Sequence, residues 1–174
     1  MLPGSTPGCR KRREIGKRDG RSTEIQRLVG RSLRAAVDLE RLTDVSITID
    51  CDVLDADGGT RTAAISGGWV ALYDALSWLA GEQGTPEPKH YLTGQVAAVS
   101  VGIVGGRIVC DLDYENDSQA EVDMNVVKRD DTLVEVQGTG EKGTFTREQL
   151  MQLLDAADRG IAEIFHAQKE ALRI

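Results

Sequence analysis

The 174-residue chain has the length of one globular domain and can bury about 70% of its unfolded surface. Its 28% charged and 40% hydrophobic residues are ordinary for a folded protein, and 4% aromatics argue against a base-stacking platform for single strands. The net charge of −7 hides an asymmetry. Ten of the 21 Lys and Arg, but three of the 28 Asp and Glu, fall in residues 1–36. A basic head before an acidic body points to a polyanion at one end of the molecule.

Residues 1–20 carry no helical or strand period. Pro3, Gly4, Ser5, Pro7 and Gly8 mark a loop, and Arg10, Lys11, Arg12, Arg13, Lys17 and Arg18 make it basic. It reads either as a solvated arm or as a grip on nucleic-acid phosphates. A helix is predicted from Thr23 to Leu42, with Thr23 and Gln26 as a capping box and Ile25, Leu28, Val29, Leu33, Ala36 and Val37 on one face. Val45, Ile47, Ile49, Cys51 and Val53 then alternate with polar residues, which predicts a strand over 45–53.

A second helix is predicted over 61–80, followed by a surface loop over 81–88. Val96–Val104 and Arg107–Asp113 read as a hairpin turning at Gly105-Gly106. Val122–Lys128 and Thr132–Gln137 read as a second pair, turning at Arg129-Asp130-Asp131. Thr146 and Gln149 form a capping box for a last helix, Arg147 to Leu172, with Leu150, Leu153, Leu154, Ala157, Ile161, Ile164 and Phe165 as its buried stripe. This order predicts an α/β or α+β domain with a mixed sheet.

Cys9, Cys51 and Cys110 are odd in number and form no Cys-x-x-Cys pair. Cys51 and Cys110 read as small core residues in a reducing, cytoplasmic setting, with no zinc site. Val96–Val104 is the longest apolar run and is too short to cross a bilayer. The N-terminus lacks the apolar region of a signal peptide.

Two stretches carry chemistry. Asp55-Ala56-Asp57-Gly58-Gly59-Thr60-Arg61-Thr62 stands where a strand hands over to a helix. Free N–H groups and the positive end of a helix dipole lie there. Two glycines let the backbone close on a ligand, Thr60 adds a hydroxyl and Arg61 a planar fork of donors. The combination suits phosphate. An ordinary turn before a helix has the same sequence, and both readings stay open. The second stretch, residues 111–123, holds six carboxylates. It reads either as a solvated loop or as a Mg²⁺ site, since that ion takes a few carboxylates plus water and phosphate.

The chain resembles ribonuclease PH, the phosphate-dependent 3′-to-5′ exoribonuclease family. The resemblance rests on Gly20-Arg21-Ser22-Thr23-Glu24-Ile25-Gln26-Arg27-Leu28, on Ile49 through Thr62, and on Asp117-Ser118 followed by Asp123-Met124-Asn125-Val126-Val127. Glu135-Val136-Gln137-Gly138-Thr139 and Ala167-Gln168-Lys169 also fit. These runs come in the family's order from Gly20 onward.

The resemblance implies an α+β fold of the ribosomal protein S5 domain 2 type, with residues 21–174 as the catalytic domain and residues 1–20 as an RNA-contacting loop. Met1-Leu2-Pro3 resembles a segment that is internal in the family, so strands are expected ahead of it and the chain reads as N-terminally truncated. By the same resemblance Arg21, Gly59, Thr60 and Arg61 bind inorganic phosphate, and Asp117 and Asp123 are catalytic. That pair would hold a divalent metal, Mg²⁺ first, or one of them would protonate the leaving 3′ oxygen. Asp111 and Asp113 are weaker candidates. Arg10, Arg12, Arg13 and Lys17 lie where the family grips RNA.

The implied activity is trimming of tRNA precursor 3′ ends, with ribosomal RNA as a further substrate, by a cytoplasmic hexameric ring built from dimers. The alternatives are a non-catalytic RNA-binding or ring-forming subunit, and a hydrolytic nuclease or small phosphotransferase.

Overall fold

A computed structural model of the chain describes residues 2, 4–6, 20–85 and 87–174. The elements are α1 (Gly20–Arg34), α2 (Thr60–Glu82), β1 (Val96–Val104), β2 (Arg107–Cys110), α3 (Tyr114–Gln119), β3 (Val122–Arg129), β4 (Thr132–Gly140) and α4 (Arg147–Leu172). A single 3₁₀ turn, Pro88–His90, leads into β1. No described helix is long and apolar enough to cross a membrane.

The strands form one antiparallel sheet in the order β2-β1-β3-β4. Period-2 alternation divides it into two faces. Val99, Val101, Met124 and Val126 pack with Leu153, Ala157 and Ile161 of α4. Val96, Ala98 and Val127 pack with Ile65, Trp69, Leu72 and Leu76 of α2 and with Leu28 and Leu33 of α1. The sheet therefore lies between α4 and the α1–α2 pair. α2 is apolar around most of its circumference, as a helix packed between layers must be. The α+β class follows, with α4 opened by the expected capping box of Thr146 and Gln149.

Three expectations are corrected. The mixed sheet does not form among the described residues, because residues 45–53 are extended but make no ladder. Their alternation is real: Val45, Ile47 and Ile49 are half-buried against the α1–α2 core, while Ser46, Thr48 and Asp50 are exposed. A strand also needs a hydrogen-bonded neighbour, and among the described residues the Leu2 N–H to Val53 carbonyl bond, 3.1 Å, touches only its end.

α1 starts at least three residues before Thr23, which therefore lies inside the helix and is no cap. It ends at Arg34 and not at Leu42. There the chain tightens, with Ala36 and Val37 donating to Leu33 and Arg34, and Thr93 and Arg129 take the carbonyls of Ala35 and Ala36. Cys51 is exposed and not a core residue; Cys110 is half-buried. Cys51 lies between Ile49 and Val53, which are half-buried, but is itself exposed.

Candidate active site

The site is built where α2 begins. Gly59 is its N-cap, with a left-handed φ of 65° and no side-chain cap. The first intrahelical bond runs from the Ala63 N–H to the Gly59 carbonyl, 3.0 Å. The N–H groups of Thr60, Arg61 and Thr62 therefore precede the hydrogen-bonded ladder and face out of the helix start. The Thr62 hydroxyl donates back to the Gly59 carbonyl at 2.8 Å, which fixes the turn.

The acidic stretch is pressed against this turn. A Cβ on Gly58 would overlap the Leu112 carbonyl oxygen, so only glycine lets the two segments meet. Asp57 joins them. Its Oδ1 accepts from Gly58 N–H at 3.0 Å and from Tyr114 N–H at 2.6 Å. Asp113 caps α3 by accepting from Asn116 N–H at 2.7 Å. α3 carries Asp117, so its six residues form a bracket fixed at its first turn by two aspartates. Asp113 is accounted for by this cap. Asp111 sits at the end of β2 with a φ of 60°, its Oδ1 close to Gly59.

Asp123 comes from β3 and points from the sheet face that carries Ser100 and Asn125, opposite to α4. Burial pushes its carboxyl above the ordinary aspartate range, and the Asp117 carboxylate pushes it further. Arg61 pulls it back, and Glu141 raises it again. Asp117, Asp123 and Arg61 thus share one electrostatic neighbourhood. Arg61 itself donates through Nη2 to Glu24 Oε2 on α1, at 3.0 Å. Among the described residues its Nε is buried without a hydrogen-bond partner. Arg21 is exposed one turn before Glu24, and it flanks with Thr60 the groove between α1 and residues 45–53.

The predicted residues Arg21, Gly59, Thr60, Arg61, Asp117 and Asp123 thus fall around one helix start. Arg10, Arg12, Arg13 and Lys17 lie outside the described residues. The sequence reading gave no role to Glu24, Asp57 or Glu141. Glu24 shares a helix face with Arg21 only because α1 includes Arg21, which the expected start at Thr23 left outside the helix. Asp57 and Glu141 gave no local signal, since their partners are distant in sequence.

Two family models match the chain: domain 1 of the 3′ exoribonuclease family over residues 2–76, and domain 2 of the same family over residues 94–160. The chain belongs to the ribonuclease PH family. It is 55% identical to the ribonuclease PH of Synechococcus sp. (strain JA-2-3B'a(2-13)) over 177 residues, covering all of this chain and 72% of that relative. It is 56% identical to that of Corynebacterium kroppenstedtii, covering 99% of this chain and 68% of the relative. The fold is similar to that of rice (Oryza sativa) Rrp46, with a TM-score of 0.65 at 14% identity, over 92% of this chain and 70% of the other. Ribonuclease PH is a phosphorolytic 3′-to-5′ exoribonuclease, and that enzyme class is the one to which the site's chemistry must answer.

Proposed function

We propose that this chain removes nucleotides from the 3′ ends of tRNA precursors by phosphorolysis. The observation that carries the reading is the uncapped start of α2, bounded by Arg61 and facing Asp117 and Asp123. Inorganic phosphate sits on the Gly59-Thr60-Arg61 backbone with Arg21 closing over it. It is held in line with the last phosphodiester of the RNA. A phosphate oxygen forms a bond to that phosphorus, the bond to the 3′ oxygen breaks, and a nucleoside diphosphate leaves. Positioning and charge neutralisation carry most of the rate.

Asp123 is the better placed of the two carboxyls to protonate the departing 3′ oxygen, because burial keeps its proton affinity high. Asp117 stays at the rim as the exposed member. Among the described residues no group of three or more His, Cys, Asp or Glu is arranged to hold a metal. As the alternative to proton donation, Asp117 and Asp123 would together hold an ion that brings water and phosphate as its other ligands, as Mg²⁺ does. When bound, such an ion supplies positive charge beside the phosphate oxygens.

The family resemblance further supports ribosomal RNA as a second substrate, assembly into a hexameric ring, a cytoplasmic location, and RNA contacts from Arg10, Arg12, Arg13 and Lys17. The test is incubation with a 3′-extended tRNA, with and without phosphate. Nucleoside diphosphates released only when phosphate is present are expected, and Arg61→Ala should slow their release about a thousandfold, as loss of an arginine clamp does. Monophosphates formed without phosphate would identify a hydrolase, and binding without cleavage would identify a non-catalytic subunit.

A further inference from the structure

We propose that Glu24 is a positioning residue for phosphate: it holds the Arg61 guanidinium against α1 so that Arg61 and Arg21 meet the anion together. The inference rests on the phosphate reading above and names a residue that reading does not use.

Arg21 and Glu24 stand three positions apart on α1, hence on one face one turn apart. Arg61 stands second in α2 and reaches across to Glu24 through Nη2 at 3.0 Å. Two arginines brought to one anion repel one another. The Glu24 carboxylate, bonded to Arg61 and one helical turn from Arg21, offsets that repulsion before the ligand arrives. The guanidinium is only partly consumed by the pair, since it has five N–H donors and Glu24 uses Nη2. Nε is buried and has no partner among the described residues. A buried, unpaired donor on a cation costs free energy that a ligand oxygen would recover. Glu24 thus fixes one end of the fork and leaves the rest for the anion.

Charge and position make opposite forecasts, which makes the idea testable. Glu24 is negative, so by Coulomb's law alone its removal would tighten phosphate binding. If its work is to place Arg61, removal weakens binding. Gln keeps an oxygen that accepts from Nη2 and drops the charge, so it should retain the position.

The experiment is titration of the full chain with inorganic phosphate, followed by ³¹P NMR, on wild type, Glu24→Ala, Glu24→Gln, Arg61→Ala and the Glu24→Ala/Arg61→Ala double variant. Glu24→Ala is expected to raise the phosphate Kd about tenfold to a hundredfold, the scale of a slightly misplaced group. Glu24→Gln should stay within about threefold of wild type, and the Glu24→Ala effect should vanish once Arg61 is gone. In phosphorolysis Glu24→Ala should move KM for phosphate more than kcat.

Unchanged or tighter binding in Glu24→Ala, beside weakened binding in Arg61→Ala, would overturn the role of Glu24 and leave the phosphate site standing. An Arg61→Ala variant that binds phosphate like wild type would overturn the site and the inference together. A Glu24→Ala loss that persists in the double variant would overturn the action through Arg61.

Discussion

Asp117 and Asp123 are six positions apart in one acidic stretch, yet their surroundings separate them. Asp117 is exposed on α3, whereas Asp123 is half-buried on β3 and has its proton affinity raised. This raised affinity has a sign in the folding equilibrium. Below the ordinary aspartate value of 3.8 both folded and unfolded chains hold the proton, and Asp123 costs nothing. As pH rises through the raised folded value, the folded state must ionise a group it prefers neutral, so stability is lost. Asp123→Asn removes that loss. It should melt above wild type at pH 7, with the advantage fading as the pH approaches 3.8, while phosphorolysis is abolished. Thermal melts across that range beside a turnover assay measure both. A variant melting below wild type at pH 7 would mean that attraction to Arg61 outweighs burial. In wild type, the rate should fall on the alkaline side as Asp123 loses the proton it donates.

The elements show which parts of the structure a sequence can carry. α4, both hairpins and the glycine turn were legible, because cap, period and turn are local properties. Two features were not. The apolar period of α1 runs on through Ala36 and Val37, but the helix stops at Arg34, and Thr93 and Arg129 capture the Ala35 carbonyl just past its end. Segment 45–53 has the alternation of a strand, but alternation reports covered faces and says nothing about a hydrogen-bonded neighbour. Of the candidate site, the Gly59-Thr60-Arg61 turn and the acidic stretch stand out as local patterns of glycine and charge, whereas Asp117 and Asp123 are singled out within that stretch only by the family resemblance. Asp57, which ties α3 to the glycine turn, was not legible, since its partner Tyr114 lies 57 residues away.

The glycines test this at element scale. Gly58 meets backbone, so Gly58→Ala should push the turn and the acidic bracket apart, at a cost of about 1–3 kcal/mol and most of the activity. Gly67, exposed within α2, has open space where a Cβ would go. Gly67→Ala should therefore stabilise by about 0.5–1 kcal/mol. Denaturant midpoints of the two variants, shifted in opposite directions, are the expected result. Equal effects would contradict the assigned packing of the turn.

At the scale of the whole molecule, three layers must be held in register, and apolar packing alone allows them to slide. One buried amide restricts this. Gln168, near the end of α4, donates through Nε2 to the Ser66 carbonyl of α2 at 2.9 Å and to the Val96 carbonyl of β1 at 3.0 Å. Its Oε1 accepts from Gln95 Nε2 at 2.7 Å, and Gln95 also donates to the Phe165 carbonyl at 3.0 Å. A single side chain of α4, 4% exposed, is thus bonded to the opposite outer layer and to the sheet. Every donor and acceptor of that amide is matched, so each substitution fails in its own way. Gln168→Met keeps the volume but leaves two carbonyls without this donor, which should cost about 1–3 kcal/mol. Gln168→Glu keeps the shape but turns an acceptor-only carboxylate towards those same carbonyls, so it should cost more. Urea titration should show both midpoints falling, Glu further than Met, at an unchanged slope. The phosphate Kd of the folded protein should hold, because Gln168 bonds to none of the residues assigned to the anion. A Met variant as stable as wild type would show that packing alone sets the register of the layers.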